Sequence, residues 1–408
     1  MSNSIDIKFT DRSNVKSKLR KLEFADKNTF DLTIAAFELL SQMKKSKLSV
    51  IPSIKSNKSI ELYDHQIFAA MKVKNELGGS AILADEVGLG KTIEAGIILK
   101  EFLISGLAKN ILILAPPSLV YQWQDELESK FSLLFTQKDD SAYKDPASHD
   151  LLIFSHSSAV YPTAANFLKK KNWDMIIVDE AHSMKNSSTM KHKLLKELTR
   201  RFTLLLTATP IQNNLGELYN MVELIKPGTL GTFSEFKTRY ADDKQMRTLN
   251  PFFKDELQKK LSKIIIRTTT QQVKKYIKFT DRVAFTRILK PTDDERKLYD
   301  TITDKVREHY ENGFEVLYLM IIQRLISSST ESTKQALFKM KKSELLSSEE
   351  YDELMEIASR ITMDTKTTEL KNTIREQNES KFLIFTEWKA TQEYLKRVLS
   401  DEGYSVTL

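Results

Sequence analysis

The chain has 408 residues, enough for two or three domains of ordinary size, each with its own core. It is 41% apolar and 29% charged, with no long apolar run and no signal-peptide pattern at Met1, so it reads as a soluble cytoplasmic protein with no membrane segment. Zero cysteines exclude disulfides, thiolate zinc sites and cysteine nucleophiles, the six histidines lack paired ligand spacing, and a net charge of +7 favours a polyanionic partner without demanding one.

Residues 1–55 are polar and lysine-rich and read as an accessory segment, with one amphipathic stretch from Phe30 to Met43 suited to a short helix. From Ser80 onward, short β-rich runs alternate with helical patterns: Ala81 to Ala84, Ile111 to Ala115, Leu151 to Ser155, Met175 to Val178, Phe202 to Thr207 and Ile264 to Ile266. The runs are mostly apolar on both faces, as strands of a covered parallel sheet must be, so residues 56–275 are expected to form an α/β lobe with helices on both faces. Gln137 to His149 reads as a loop between two such strands.

Residues 276–380 are expected to be a linker and a helical insertion, with helix starts marked by the capping-box pairs Thr292 with Glu295 and Ser347 with Glu350. The helices end near Asn378, and Lys381 to Thr386 then predicts a buried strand opening a further segment, 381–408. The lysines Lys334, Lys339, Lys341 and Lys342 in the helical region suit a solvated face better than a phosphate track.

Asp85-Glu86-Val87-Gly88-Leu89-Gly90-Lys91-Thr92 follows a buried strand and opens an amphipathic helix, Thr92 to Leu107. A phosphate loop needs that context. Gly88 and Gly90 let the backbone turn and aim N–H groups at phosphate oxygens, and the helix N-terminus adds a favourable dipole. Lys91 then reaches the β- and γ-phosphates of ATP, and the Thr92 hydroxyl ligates Mg²⁺. The usual loop opens with a glycine where this chain has Asp85.

Met175 to Val178 ends in two adjacent carboxylates, Asp179 and Glu180. Asp179 is placed to hold Mg²⁺ through water, and Glu180 to orient and deprotonate the attacking water. Alone, such a pair is more often a solvated turn; the glycine loop on an earlier strand end favours the catalytic reading, because phosphate-loop hydrolysis requires both parts.

Taken in order, Leu62 to Gln66, Asp85 to Thr92, Ala115 to Leu119 with Gln122-Trp123, Asp179 to His182, and Thr207 to Asn214 resemble helicase superfamily two, in particular its Swi/Snf-related double-stranded DNA translocases of the bacterial RapA-like branch. That branch has no glycine at the Asp85 position, which resolves the departure. The resemblance implies RecA-like lobes and spans roughly residues 62–386. It implies that Gln66 reads the adenine edge, with His65 and Tyr63 lining the base, and that the loop residues Glu86, Gly88, Leu89, Gly90, Lys91 and Thr92 surround the nucleotide.

By the same resemblance Thr207 and Thr209 couple the nucleotide site to the nucleic-acid track and His182 relays nucleotide state to them, while the bland readings are hydroxyls satisfying a strand end and a core histidine. Ser118, Ser155 and His156 are the candidates for a phosphate backbone, and Trp123, spaced with Leu119 and Leu127, reads as a packing residue. Phe382 to Trp388 resembles the first strand motif of a second lobe. Only 26 residues follow Phe382, so the later motifs with their arginines are missing, and the expectation is a chain that binds ATP·Mg²⁺ but turns it over slowly unless another polypeptide completes the cleft.

The leading function is an ATP-driven translocase on double-stranded DNA. A strand-separating helicase or restriction-type motor of the same superfamily, and a nucleotide-sensing module that docks RNA polymerase or another protein, remain as alternatives.

Overall fold

The computed structural model describes residues 47–57, 60–137, 149–209, 214–277, 279–280, 283–311, 316–377 and 381–408, with a few isolated positions before residue 47. The Phe30 to Met43 stretch apart from Asp31 and Leu32, most of the Gln137 to His149 loop and Pro210 to Asn213 lie outside the described residues. The chain divides into two compact units, residues 1–280 and 281–408.

The first unit is built on seven strands: β1 (Ala81–Leu83), β2 (Ile111–Ala115), β3 (Thr136–Gln137), β4 (Leu151–Ser155), β5 (Trp173–Val178), β6 (Arg200–Leu206) and β7 (Ile265–Ile266). Their order is β3-β4-β2-β5-β6-β1-β7 and every pairing is parallel, which bears out the expected α/β class. Residues alternate across the sheet. Ile111, Ile113, Met175, Ile177, Leu204 and Leu206 join one core cluster; Leu112, Leu114, Ile176, Val178 and Leu205 join the other. Two buried faces are why these strands carry no polar alternation.

Helices α1 (Asp64–Asn75), α2 (Lys91–Ile104) and α3 (Val120–Phe131) supply apolar residues to the first face, and α4 (Leu215–Ile225) to the second. Close approach of α2 and α3 depends on Gly96, where an added Cβ would fall 2.3 Å from the Phe131 ring. Because all strands run the same way, the loops after β1, β2, β4, β5 and β6 emerge on one edge of the sheet, the edge where open α/β sheets bind ligands.

The second unit is helical through α5 (Asp293–Glu311), α6 (Val316–Ile326), α7 (Thr330–Lys342), α8 (Ser348–Arg360), α9 (Thr365–Gln377) and α10 (Lys389–Asp401). Both predicted capping boxes form: Thr292 N–H donates to Glu295 at 2.7 Å, and Ser347 N–H donates to Glu350 at 2.9 Å. Leu298, Ile302, Ile322, Leu325, Leu337 and Ile357 fill its core. Lys339 and Lys342 are exposed and Lys341 lies over the Tyr351 ring at 4.4 Å, in keeping with a solvated face.

The predicted buried strand from Lys381 to Thr386 is corrected: the segment forms no ladder with any described residue, and Leu383 and Phe385 are more than three-quarters exposed. An apolar β-prone run becomes a strand only when a neighbouring strand takes up its backbone N–H and C=O groups. The following helix α10 instead packs into the helical unit, burying Ala390 and Tyr394 and placing the Thr391 hydroxyl 2.9 Å from Ser329. Among the described residues, no helix is long and apolar enough to cross a membrane.

Candidate nucleotide site

The segment from Asp85 to Gly90 links β1 directly to α2, as predicted. Gly90 sits at φ +86°, a left-handed conformation that side chains rarely adopt, and an added Cβ would lie 2.5 Å from Gln66 Nε2. The loop is therefore moulded against α1. Lys91 folds over it, its ammonium donating to the carbonyls of Asp85 at 2.8 Å and Glu86 at 3.3 Å. Thr92 stands half-buried in the first turn of α2.

His65 and Gln66 lie beneath this loop, both buried. Gln66 Nε2 donates to the Leu89 carbonyl at 3.1 Å and its Oε1 accepts from Tyr63 N–H at 3.1 Å. One amide hydrogen and one lone pair remain for any further partner. His65 Nε2 lies 2.9 Å from the same Leu89 carbonyl, which only accepts, so Nε2 carries the proton and Nδ1 accepts from the Tyr276 hydroxyl at 3.3 Å. Tyr63, His65 and Tyr276 form a cluster of rings with centroids 6.0 to 6.4 Å apart. Tyr276 has no motif around it that could have revealed this.

Behind the loop, Asp85 and Glu94 are fully buried and face one another; Asp85 Oδ2 and both Glu94 oxygens have no other hydrogen-bond partner among the described residues. Burial first, and then the Asp85 charge, push the Glu94 carboxyl well above the usual range.

Asp179 and Glu180 leave the carboxyl end of β5, with β6 between them and β1 in the sheet. Two strand spacings, about 10 Å in all, thus separate the acidic pair from the loop strand. Asp179 is buried; its Oδ2 accepts from Trp123 Nε1 at 2.8 Å and its Oδ1 from the Glu180 N–H at 2.8 Å. Burial raises its pKa, opposed by these two donors. Glu180 adopts φ +45°, outside the regions most non-glycine residues occupy, and lies 2.9 Å from His182 Nδ1, out of hydrogen-bonding alignment.

Trp123 is thus more than the packing residue its spacing suggested: it is buried on α3 and also orients a strand-end carboxylate. A Trp123→Phe substitution, which keeps most of the bulk and deletes the N–H, is expected to lower the unfolding free energy by about 2 kcal/mol, the worth of a hydrogen bond to a charged group. Urea titration measures it, and an unchanged midpoint and slope would show the contact to be incidental.

Thr207 is buried at the end of β6, where its N–H donates to Leu83 at 3.0 Å and its hydroxyl accepts from Thr209 N–H at 3.2 Å. Of the three expected nucleic-acid contacts, Ser118 is exposed in the turn after β2, while Ser155 is half-buried and caps the turn His156–Ala159, accepting from Ser158 N–H at 3.0 Å. His156 is corrected. It is buried, with Nε2 3.2 Å from the Leu114 carbonyl and Nδ1 3.2 Å from the Ser183 hydroxyl, so neither nitrogen is presented at the surface.

Glu86, grouped with the nucleotide ligands because it lies inside the motif, points elsewhere. Its Oε2 accepts from Thr270, from the N–H at 2.8 Å and from the hydroxyl at 2.6 Å.

A parallel sheet that gathers a glycine loop, its lysine and threonine, and a strand-end Asp-Glu pair on one edge has the layout of nucleotide-binding α/β proteins. Within that class, the chain belongs to the SNF2-related domain family, which matches residues 63–375. It is 35% identical over 346 residues to the uncharacterized ATP-dependent helicase YqhH of Bacillus subtilis, covering 84% of this chain and 60% of that protein. It is 32% identical over 221 residues to the RNA polymerase-associated protein RapA of Proteus mirabilis, covering 51% of this chain and 22% of RapA. The chain therefore spans less than two thirds of these relatives. A solved SWI2/SNF2 ATPase core of Sulfolobus solfataricus in complex with double-stranded DNA is 22% identical, with a TM-score of 0.47, covering 85% of this chain and 71% of that one.

Proposed function

We propose that this lobe binds ATP·Mg²⁺ and hydrolyses it, and that the protein uses the energy to move along double-stranded DNA in the cytoplasm. The observation that carries the reading is the placement of the glycine loop and the Asp179-Glu180 pair on one sheet edge of an SNF2-related chain.

The residues present suit the ligand. The loop is shaped so that a Cβ at Gly90 would collide, and Lys91 rests on two neutral backbone acceptors. On binding, Lys91 moves from those carbonyls to the β- and γ-phosphate oxygens, exchanging neutral acceptors for charged ones. Thr92 and, through water, Asp179 would hold Mg²⁺, which would neutralise phosphate charge, with Asp179 fixed by Trp123. Glu180 deprotonates the attacking water, and His65 and Gln66 keep the loop in register through Leu89, with Gln66's remaining hydrogen and lone pair available to the base. Thr207, Thr209 and His182 transmit the state of this edge to the polymer, with Ser118 and Ser155 on its phosphates.

The names of the relatives point to two partners, double-stranded DNA and RNA polymerase, and the first is the better supported because a phosphate backbone suits the polar loops on this edge. The decisive test is ATP·Mg²⁺ affinity by equilibrium titration. Lys91→Ala is expected to weaken it by about 100-fold, the loss of about 2.7 kcal/mol of charge-assisted bonding. Affinity within threefold of the parent would remove this site from consideration. Triplex displacement without fork unwinding would support movement on duplex DNA.

A further inference from the structure

The β1–β7 pairing does not stop at the sheet. Ala84 N–H donates to Ile266 at 2.7 Å as the last rung of an ordinary ladder, and Glu86 N–H then donates to Thr268 at 3.1 Å from within the phosphate loop itself. Beyond that point side chains replace the backbone: Thr268 N–H donates to Asp85 Oδ1 at 2.7 Å, and Thr270 donates twice to Glu86 Oε2. Tyr276 closes the series on His65, whose other nitrogen holds Leu89. The segment Thr268 to Tyr276 is thereby fastened to three residues of, or directly under, the phosphate loop, and the second unit begins five residues after it, at Asp281.

A loop that must change shape around phosphates cannot move Glu86 without moving Thr270. Two donors on one carboxylate oxygen hold the Glu86 side chain in a single direction, and they hold its pKa below the usual range. The Glu86 Oε2 is therefore already committed to Thr270 in this arrangement.

We propose that Glu86 is a positioning residue that ties the phosphate loop to the Thr268 to Tyr276 segment, so that occupancy of the loop is felt in the chain leading to the helical unit. The transmission part of this proposal rests on the nucleotide reading above; the clamp itself does not.

Amide hydrogen exchange over residues 266–276, with ATP·Mg²⁺ as the probe, separates the two. In the free chain, Glu86→Ala is expected to speed exchange at Thr268 to Gln271 by at least about tenfold, with Glu86→Gln, which keeps an acceptor oxygen, restoring most of the protection. In the parent, ATP·Mg²⁺ slows exchange in this segment, and in Glu86→Ala that nucleotide-dependent slowing is lost while affinity changes by about threefold or less. Unchanged exchange in the free Glu86→Ala chain overturns the clamp. Equal nucleotide-dependent slowing in Glu86→Ala and parent overturns the transmission, and loss of binding in both variants makes Glu86 a ligand instead. A parent chain that takes up no ATP·Mg²⁺ refutes the nucleotide reading and the transmission with it, while the free-chain comparison still decides the clamp.

Discussion

Glu180→Gln is expected to slow single-turnover ATP hydrolysis by roughly 100- to 10,000-fold, the usual worth of a positioned general base, while ATP·Mg²⁺ affinity stays within about threefold. The split follows from the geometry. Asp179 is buried and held by Trp123 and by the Glu180 N–H; Glu180, one residue later at φ +45°, keeps its carboxylate half-exposed. A left-handed backbone at a non-glycine residue costs about 1 kcal/mol, so the surrounding structure must hold it there. Glutamine preserves size and the backbone twist but accepts no proton at neutral pH. Rapid quench of labelled ATP, pre-bound in the presence of duplex DNA, measures the step. Hydrolysis within tenfold of the parent would mean that another group takes the proton, and His182 Nδ1, 2.9 Å from the Glu180 carboxylate, would be the first to test.

Much of this layout was legible in the sequence because short-range rules dictate it. Six apolar runs became six of the seven strands with ends shifted by at most two residues, since two buried faces leave no room for polar alternation. The strand Thr136–Gln137 is too short to carry a pattern, and Gln137 was read as loop. The capping boxes at Thr292 and Ser347 were legible because both partners lie within one turn.

What escaped depends on partners far along the chain. Trp123 finds Asp179 across 56 residues, and Glu86 finds Thr270 across 184. No spacing rule encodes either pair. The Phe382 to Thr386 run failed for the complementary reason: its composition expresses strand propensity, while a ladder requires a neighbour that composition does not name. His156 sits directly after a strand end, where exposed polymer contacts are expected, yet its ring turns inward to two partners on other elements.

That inward turn predicts the second large effect, on acid stability. Burial, aided by the Lys191 charge, lowers the His156 pKa from 6.5 to about 4, against the pull of the Leu114 carbonyl. The neutral ring is the folded form, with Nε2–H donating to Leu114 and Nδ1 accepting from the Ser183 hydroxyl. The unfolded chain takes up a proton near pH 6.5 and the folded chain does not until about pH 4, so stability present above 6.5 is lost as pH falls through that window. Between pH 7.5 and 5 this one residue is expected to cost about 2 kcal/mol, at 1.36 kcal/mol per pKa unit. His192, buried and also shifted down, adds a smaller loss of the same sign. His156→Gln, whose amide reproduces the donor to Leu114 without titrating, is expected to be less stable than the parent at pH 7.5 but to lose about 2 kcal/mol less on going to pH 5, by urea titration at both values. An identical acid loss in both chains would place the sensitivity elsewhere. Because Ser183 lies on the turn Ala181–Met184 that follows the acidic pair, protonating His156 in the folded chain removes the acceptor that steadies this turn, so ATP affinity is expected to hold through the pH window in which stability is lost and to fall only near pH 4.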